Sequence, residues 1–229
     1  AYLLASFALY AVVISVAKAR GLSWVEGAME AHAGVSGNTG FLGVPMLVML
    51  LGQAAAGPVM MVLTIDMVVF SSLITLIITG AKEGQLRLST LTALGRGLLA
   101  NPMIVSIVLG FIWSGLSLPL PDVVNEFMGL LGAAATPCAL FAIGASLAGR
   151  RADRLVLAGW ISLAKLVIHP ALVACTALLI FTVDPFAAGV MIAASSLPVA
   201  GNVFILAQHY GVAPQRVSTA ILISTALSV

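Results

Sequence analysis

Two asparagines stand inside hydrophobic stretches, each among glycines and close to a proline, and their side chains could replace water around a buried anion. The first stretch reads SGNTGFLGVP from Ser36 to Pro45, and the second reads LPVAGNVF from Leu197 to Phe204. Proline lacks an N–H group and glycine leaves helical geometry easily, so both stretches predict interrupted helices. The N–H groups freed at such an end suit a carboxylate. The predicted substrate-binding residues are Asn38, Thr39, Gly40, Gly43, Pro45, Pro198, Gly201 and Asn202.

Two ionisable residues lie deep within other apolar runs. Asp66 occurs in LTIDMVVF and Lys165 in ISLAKLVIHP. Charge inside a bilayer is costly and points to function. We predict that Asp66 carries a coupling proton or holds a cation, and that Lys165 attracts the anion or neutralises helix C-termini. The structural alternatives are a lysine that snorkels to the interface and an aspartate that bonds a neighbouring helix.

Several further polar residues have a structural and a functional interpretation. Glu30 and His32 belong either to a solvated helix start or to an inner vestibule. His169 either relays a proton or is a buried, hydrogen-bonded histidine. Ser146, next to Gly144 in GASLAG, faintly resembles the serine nucleophile of intramembrane proteases. A metalloprotease HExxH motif and paired catalytic carboxylates are absent from the sequence.

The composition determines the medium in which these residues work. The chain is 61% hydrophobic and 8% charged, with a mean hydropathy of +1.16, whereas a soluble domain carries about 25% charge. These values predict an all-α integral membrane protein. The basic residues are dispersed, which argues against a nucleic-acid partner, and no motif predicts a metal or a cofactor. Cys138 and Cys175 are interpreted as small packing residues.

Eight apolar runs are long enough to be membrane spans. Their predicted bounds are 1–19, 24–51, 57–79, 101–118, 122–149, 155–181, 185–210 and 214–229, with 24–51 and 185–210 broken. The first three belong to one repeat (1–79), residues 80–100 form a cytoplasmic linker, and the last five form a second repeat (101–229).

The positions of the basic residues predict an orientation. Every Lys and Arg except Lys165 falls on one side, with the basic loops at 18–20, 82–96 and 150–154. The positive-inside rule places these loops in the cytoplasm, and we predict a bacterial inner membrane. In this orientation the two broken helices run in opposite directions, which predicts an inverted repeat.

The second repeat has two spans, 101–118 and 122–149, with no counterpart in the first. The chain also opens on Ala1 within an apolar run. We therefore expect a parent protein of two five-helix repeats, whose first two helices precede this sequence and whose last helix extends beyond it.

The two motifs together resemble the auxin efflux carrier family, in particular its bacterial members related to plant PIN carriers. They read SGNTGFLGVPMLVMLLG from Ser36 to Gly52 and SSLPVAGNVFILAQHYG from Ser195 to Gly211. The resemblance implies ten helices in two inverted repeats, with the fourth and ninth broken and crossing at mid-membrane. It also implies a scaffold domain, a moving transport domain, a homodimer, and substrates such as auxins in plants and malonate- or malate-like carboxylates in bacteria. The family's crossover residues correspond to Asn38, Pro45, Pro198 and Asn202.

These observations predict a secondary transporter, an exporter by resemblance, of small organic anions such as carboxylates or auxin-like acids. Alternating access by an elevator-like movement is the expected mechanism, coupled to a proton or to sodium. The chain is not predicted to be an enzyme. The first alternative is an ion channel, since crossed broken helices can line a pore, although a repeated filter motif is missing from the sequence. An intramembrane serine protease using Ser146 is the second.

Overall fold

The chain forms helices throughout the part that its computed structural model describes, which is residues 1–83, 92, 95–96, 99–100, 102–147 and 155–228. These residues contain an isolated β-bridge and no β-strand. Three of their helical stretches are long and apolar enough to cross a membrane: Tyr2–Ala19, Gln53–Ala81 and Leu155–Ile180. The prediction of an all-α membrane protein is confirmed, while the division into two repeats stays a prediction.

The first broken helix consists of two helices and a π-helical turn between them, and its first half packs against the N-terminal helix. Helix α1 (Tyr2–Ala19) packs along α2 (Trp24–Val35), and α2 begins at a capping box in which Ser23 and Glu26 exchange hydrogen bonds. The helix ends at Val35, and three non-helical residues follow, Ser36 to Asn38. A π-helical turn (Thr39–Gly43) then leads into α3 (Val44–Leu51).

The break in this helix lies upstream of the position that its proline suggests. Pro45 occupies the first turn of α3, where the missing N–H has no helical partner to lose. The interruption instead begins where α2 stops, at Ser36. The wide π-helical turn between the break and Pro45 restores the helical path.

The next long helix is continuous but carries a wide turn at its middle. Gly52, with a φ of +84°, ends α3, and a short 3-10 turn (Gln53–Ala55) opens α4 (Ala56–Ile65). A π-helical turn then places Asp66 at the junction with α5 (Ser71–Glu83).

Two helices stand apart from the rest of the described structure. Helix α6 (Pro102–Gly115) has its main contact with α4, and α7 (Asp122–Leu147) has its main contacts with α3 and the π-helical turn before it. Most of their described side chains are exposed, including the apolar Leu109, Phe127 and Leu130. These faces are apolar surface of the kind that lipid or other membrane helices cover.

The remaining helices contain the second break. Helices α8 (Leu155–Leu163) and α9 (His169–Ala174) form one path through π-helical turns at Ala164–Ile168 and Cys175–Ile180. The broken helix and the final helix follow it, as α10 (Pro185–Ser195), α11 (Gly201–Tyr210) and α12 (Pro214–Ser228). Asp184 caps α10, and Gly211 ends α11 with a φ of +70°.

The buried core joins the helices before residue 84 to those after residue 154. One apolar cluster includes Met29 of α2, Ile78 of α5, Ile161 of α8, Val203 of α11 and Val217 of α12. Because each of these side chains is almost fully buried, the two ends of the chain pack as one body. This body encloses both breaks.

The helices coincide with the predicted apolar spans to within a few residues. Most of the predicted linker 80–100, and the basic loop 150–154, lie outside the described residues.

Candidate anion-binding site at the crossing of the broken helices

The two breaks meet and exchange backbone hydrogen bonds. The amide of Asn38 donates to the carbonyl of Pro198 over 2.8 Å, and the amide of Ala200 donates to the carbonyl of Ser36 over 3.1 Å. Around them, Gly37 and Val199 form an antiparallel bridge. Backbone groups that leave a helix inside a membrane need partners from elsewhere in the protein. Each break supplies those partners to the other, so the two sequence motifs form a single structural unit, the crossing of the broken helices.

Glycines allow this close approach. A Cβ atom placed on Gly43 would lie 2.5 Å from Cδ1 of Leu197, and one placed on Gly37 would lie 3.2 Å from Nζ of Lys165. Contacts below 3.0 Å force neighbouring atoms to move. Gly43 therefore acts by letting the second break pack against the first.

A cavity opens beside the crossing, with a volume of about 410 Å³ when its open mouth is included. Five predicted residues line it, and they are Asn38, Gly40, Asp66, Gly201 and Asn202. The sequence analysis missed its other lining residues, which are Ser36, Gly37, Phe41, Leu63, Met67 and Ala200. Most of these belong to the two motifs, so their position in the motif could have indicated them, whereas Leu63 and Met67 are ordinary apolar residues of a neighbouring helix.

Four predicted binding residues lie behind the cavity wall. Thr39 is fully buried in the π-helical turn, and Gly43 packs on Leu197. Pro45 lies in the first turn of α3, and Pro198 contributes its carbonyl to the crossing. These four residues therefore contribute to the packing of the two breaks but do not line the cavity.

One end of the cavity carries the positive end of a helix. Gly201 and Asn202 open the ten-residue helix α11, whose first N–H groups have no helical acceptor. The Asn202 Oδ1 atom is itself buried and has no hydrogen-bond partner in the described part of the protein. The backbone N–H groups can donate to a carboxylate, whereas the Asn202 Oδ1 atom accepts and can bond only a donor such as a protonated carboxyl group.

Asp66 forms another part of the cavity wall. Its Oδ1 accepts a hydrogen bond from the Tyr2 hydroxyl at 2.8 Å, and its Oδ2 accepts a long one from the Gly37 amide at 3.4 Å. Its side chain is buried, with 5% of the residue exposed. The π-helical turn at Asp66–Phe70 and the break at Gly37 together bring this carboxyl group to the crossing.

Lys165 lies on the other side of the crossing and does not line the cavity. Its ammonium group is fully buried, donates to the carbonyl of Ser195 and contacts Nδ1 of His169 at 3.3 Å. Ser195 ends α10, so the lysine charge lies at the negative end of a half-helix. Asp66 interacts with this charge electrostatically but takes part in none of the ion pairs found within 4.0 Å among the described residues.

The histidine next to Lys165 is oriented by its two neighbours. Because an ammonium group only donates, Nδ1 of His169 accepts, and the ring proton lies on Nε2. Nε2 then donates to the Ser6 hydroxyl, 2.9 Å away. A histidine in this state cannot take the proton of Ser6. The side chain of Ser146, the predicted protease nucleophile, lies outside the described part of the structure.

A second group of charges lies where α1 ends and α2 and α12 begin. Arg216 contacts Glu30 at 2.8 Å and Glu26 at 2.5 Å, and Arg20 contacts Glu30 at 3.1 Å. Glu30 is almost fully buried. The sequence analysis predicted a solvated or vestibular position for Glu30 and gave no sign of Arg216 as its partner. His32 is also buried, and its Nδ1 contacts the Ser36 hydroxyl at 3.3 Å.

Comparison with known proteins identifies the family of this chain. A family model described as "Membrane transport protein" matches residues 1–229. The chain is also similar to a protein of Rhizobium meliloti (strain 1021) named "Putative malonate transporter", with 35% identity over 207 residues. That match covers 89% of the chain but 64% of the relative, so the chain spans less than two thirds of the relative's length. The family model extends over both broken helices, and the chain therefore belongs to the membrane transport protein family, the auxin efflux carrier family that its two motifs resemble.

Proposed function

We propose that the whole protein is a secondary transporter of small organic anions and that the anion binds in the cavity beside the crossing. The observation that carries this proposal is the pair of hydrogen bonds between the two breaks, which holds two interrupted helices together around a cavity. Interrupted helices at a repeat interface are typical of substrate sites in secondary transporters.

The lining of the cavity suits a small carboxylate. The N–H groups at the start of α11 and the amides of Asn38 and Asn202 offer neutral polar contacts to a carboxylate. Phe41 and Leu63 form an apolar wall that fits a short carbon skeleton. Malonate, which appears in the name of the relative, is the first substrate to test.

The packing of the helices supports an alternating-access movement of the elevator type. Three apolar clusters join helices α1 to α5 and α8 to α12 into one body, and the two breaks within it are hydrogen-bonded to each other. Helices α6 and α7 contact this body mainly at α3, α4 and the π-helical turn before α3, and most of their described side chains are exposed. In the proposed mechanism the body carries the cavity across the membrane while α6 and α7 belong to a stationary scaffold.

The setting of the transporter follows the predicted orientation. We place it in the bacterial inner membrane with the basic loops 18–20, 82–96 and 150–154 in the cytoplasm, and we propose a homodimer from the family resemblance. Export, the direction suggested by the family name, stays a prediction.

Binding of malonate to the purified full-length protein tests the site. We expect Asn202→Ala and Asn38→Ala to weaken binding about tenfold or more, since each removes a polar contact to a charged ligand. Calorimetry or a thermal-shift titration measures this effect. Asn125→Ala is the matched control, because Asn125 is exposed on α7, away from the cavity.

Unchanged affinity in both asparagine variants would show that the site lies elsewhere. Counterflow in proteoliposomes separates a carrier from a channel, because internal unlabelled malonate accelerates entry of labelled malonate only through a carrier. Absence of counterflow together with unsaturable flux would identify a channel.

A further inference from the structure

The cavity proposed for an anion has an acid in its own wall. Asp66 lines the cavity together with Asn38 and Asn202, and it is the sole ionisable residue among the lining residues described above. An ionised Asp66 would repel a carboxylate placed in the cavity, and inside a membrane this repulsion is weakly screened. Binding of an anion therefore requires something to neutralise Asp66.

The lysine at the crossing does not do so by contact. Lys165 donates to the carbonyl of Ser195 and contacts His169, and it lies beside Gly37 without lining the cavity or forming an ion pair with Asp66. Its charge balances one negative charge at the crossing. With an ionised Asp66 already present, a bound anion would add a second negative charge that has no buried cation of its own.

The other elements around the cavity hold one further histidine, the buried His32 of α2, which contacts the Ser36 hydroxyl and takes part in none of the ion pairs found among the described residues. Tyr2 of α1 faces its Oδ1 as a neutral hydroxyl, and the first break contributes the Gly37 amide. Lys165 and its neighbour His169 are the titratable groups contributed by the path from α8 to α9. The residues of α4, α6 and α10, which also pack nearby, include no Asp, Glu, Lys, Arg or His.

We propose that Asp66 takes up a proton when the anion occupies the cavity and that the carrier moves this proton together with the anion. The inference rests on the proposed function and names the ion coupled at that same site. A protonated Asp66 is a neutral donor, so its O–H group can bond the carboxylate of the substrate. Lys165 then balances the charge of the bound anion in place of that of Asp66.

The step involves proton transfer alone. The carboxylate of Asp66 takes a proton from the aqueous solution on the side where the cavity is open, and one O–H bond forms. After the body has moved, the anion leaves and the same O–H bond breaks, which releases the proton on the opposite side. In a cell whose cytoplasm is more alkaline than its surroundings, this coupling drives uptake of the anion, the direction opposite to the export that the family name suggests.

Proteoliposomes containing the full-length protein test the coupling. We expect malonate entry to acidify the vesicle interior, as measured with an enclosed pH-sensitive dye, and an inward gradient of about one pH unit to support about tenfold accumulation per coupled proton. Vesicles without protein correct for diffusion of the undissociated acid. Counterflow without accumulation in a pH gradient would overturn the inference and leave the proposed function intact, whereas loss of both counterflow and binding would contradict the proposed function.

Asp66→Asn identifies the group that carries the proton. The amide is neutral at every pH, so we expect accumulation driven by the pH gradient to disappear, whatever rate of counterflow this variant shows at equal pH. Asp122→Asn, an exposed residue at the start of α7, is the matched control and should behave as wild type. If Asp66→Asn still accumulates malonate in a pH gradient, the proton travels on the substrate or another residue, and the inference is wrong.

Tyr2→Phe provides an independent test should the Asp66→Asn protein fail to fold. It removes the 2.8 Å hydrogen bond that stabilises the ionised form of Asp66. Protonation then occurs more readily, so the pH at which transport is half-maximal should rise. A pH profile that is unchanged or moves to lower pH would count against Asp66 as the proton carrier.

Discussion

Buried charge is neutralised differently at the two places where it occurs in the helical body. At the start of α2 and α12, Glu30 is bonded to Arg216 and Arg20, and Arg216 also reaches Glu26. At the crossing, Asp66 and Lys165 are equally buried, but each is bonded to backbone or neutral groups and not to the other.

The difference shows which charges are free to change. An ion pair that is bonded on both sides holds its members ionised and fixes the helices that carry them. A carboxyl group that bonds only a hydroxyl and an amide can lose its charge and keep a partner. The inner cluster, formed by Arg20, Glu26, Glu30 and Arg216, is thus suited to holding α2 and α12 together, and the crossing is suited to a group whose charge varies.

Arg216→Met should break the inner cluster and produce the largest loss of stability. It leaves Glu30 buried with Arg20 as its remaining partner, and uncompensated buried charge of this kind lowers the free energy of unfolding by about 3 kcal/mol. Thermal unfolding of the purified full-length protein in detergent measures the change.

The double variant Arg216→Met with Glu30→Leu sharpens this result. It replaces the buried pair with apolar side chains and should recover most of the lost stability. A double variant as unstable as Arg216→Met would mean that the arginine acts through packing and not through its charge.

Lys165→Met should have the next largest effect. It removes the donor to the carbonyl at the end of α10, and an unsatisfied buried carbonyl costs about 2 kcal/mol. Adding Asp66→Asn should restore part of the stability, because the two charges interact across the crossing. Additive losses in the double variant would show that the lysine serves α10 alone.

Arg20→Gln should have the smallest effect. Its side chain is 28% exposed, and Glu30 keeps its contact with Arg216, so we expect a loss of about 0.5 to 1 kcal/mol that shrinks at high salt. Unfolding curves at low and high ionic strength provide the measurement. An effect as large as that of Arg216→Met would remove the distinction between the buried and exposed members of the inner cluster.

The helices and the presence of two breaks follow from local sequence. Hydrophobic runs locate the helices, and the Gly and Asn residues at 37–38 lie in the first break while those at 201–202 begin the helix that follows the second. The exact start of the first break did not follow, because Pro45 is tolerated in the first turn of α3 and the chain opens upstream. Proline signals a nearby irregularity, but hydrogen bonding to the other break decides its position.

The partners of the buried polar residues required the tertiary structure. Ser6 is unremarkable in sequence, and only the packing of α1 against α9 joins it to His169. The same holds for Arg216, which the sequence assigned only to the cytoplasmic side and the structure places on Glu30. Chemistry that depends on one residue type in a short motif was predictable, and chemistry that depends on pairs distant in the chain was not.

The hydrogen bonds of the crossing can form only after both breaks have been synthesised. Ser36 and Asn38 leave the ribosome first, whereas Pro198 and Ala200, which satisfy their backbone groups, emerge about 160 residues later. Until then the first break cannot rest in lipid without unpaired polar groups. Nascent chains halted before Leu197 should therefore keep a cysteine placed at position 37 open to water-soluble maleimides, and longer chains should close it.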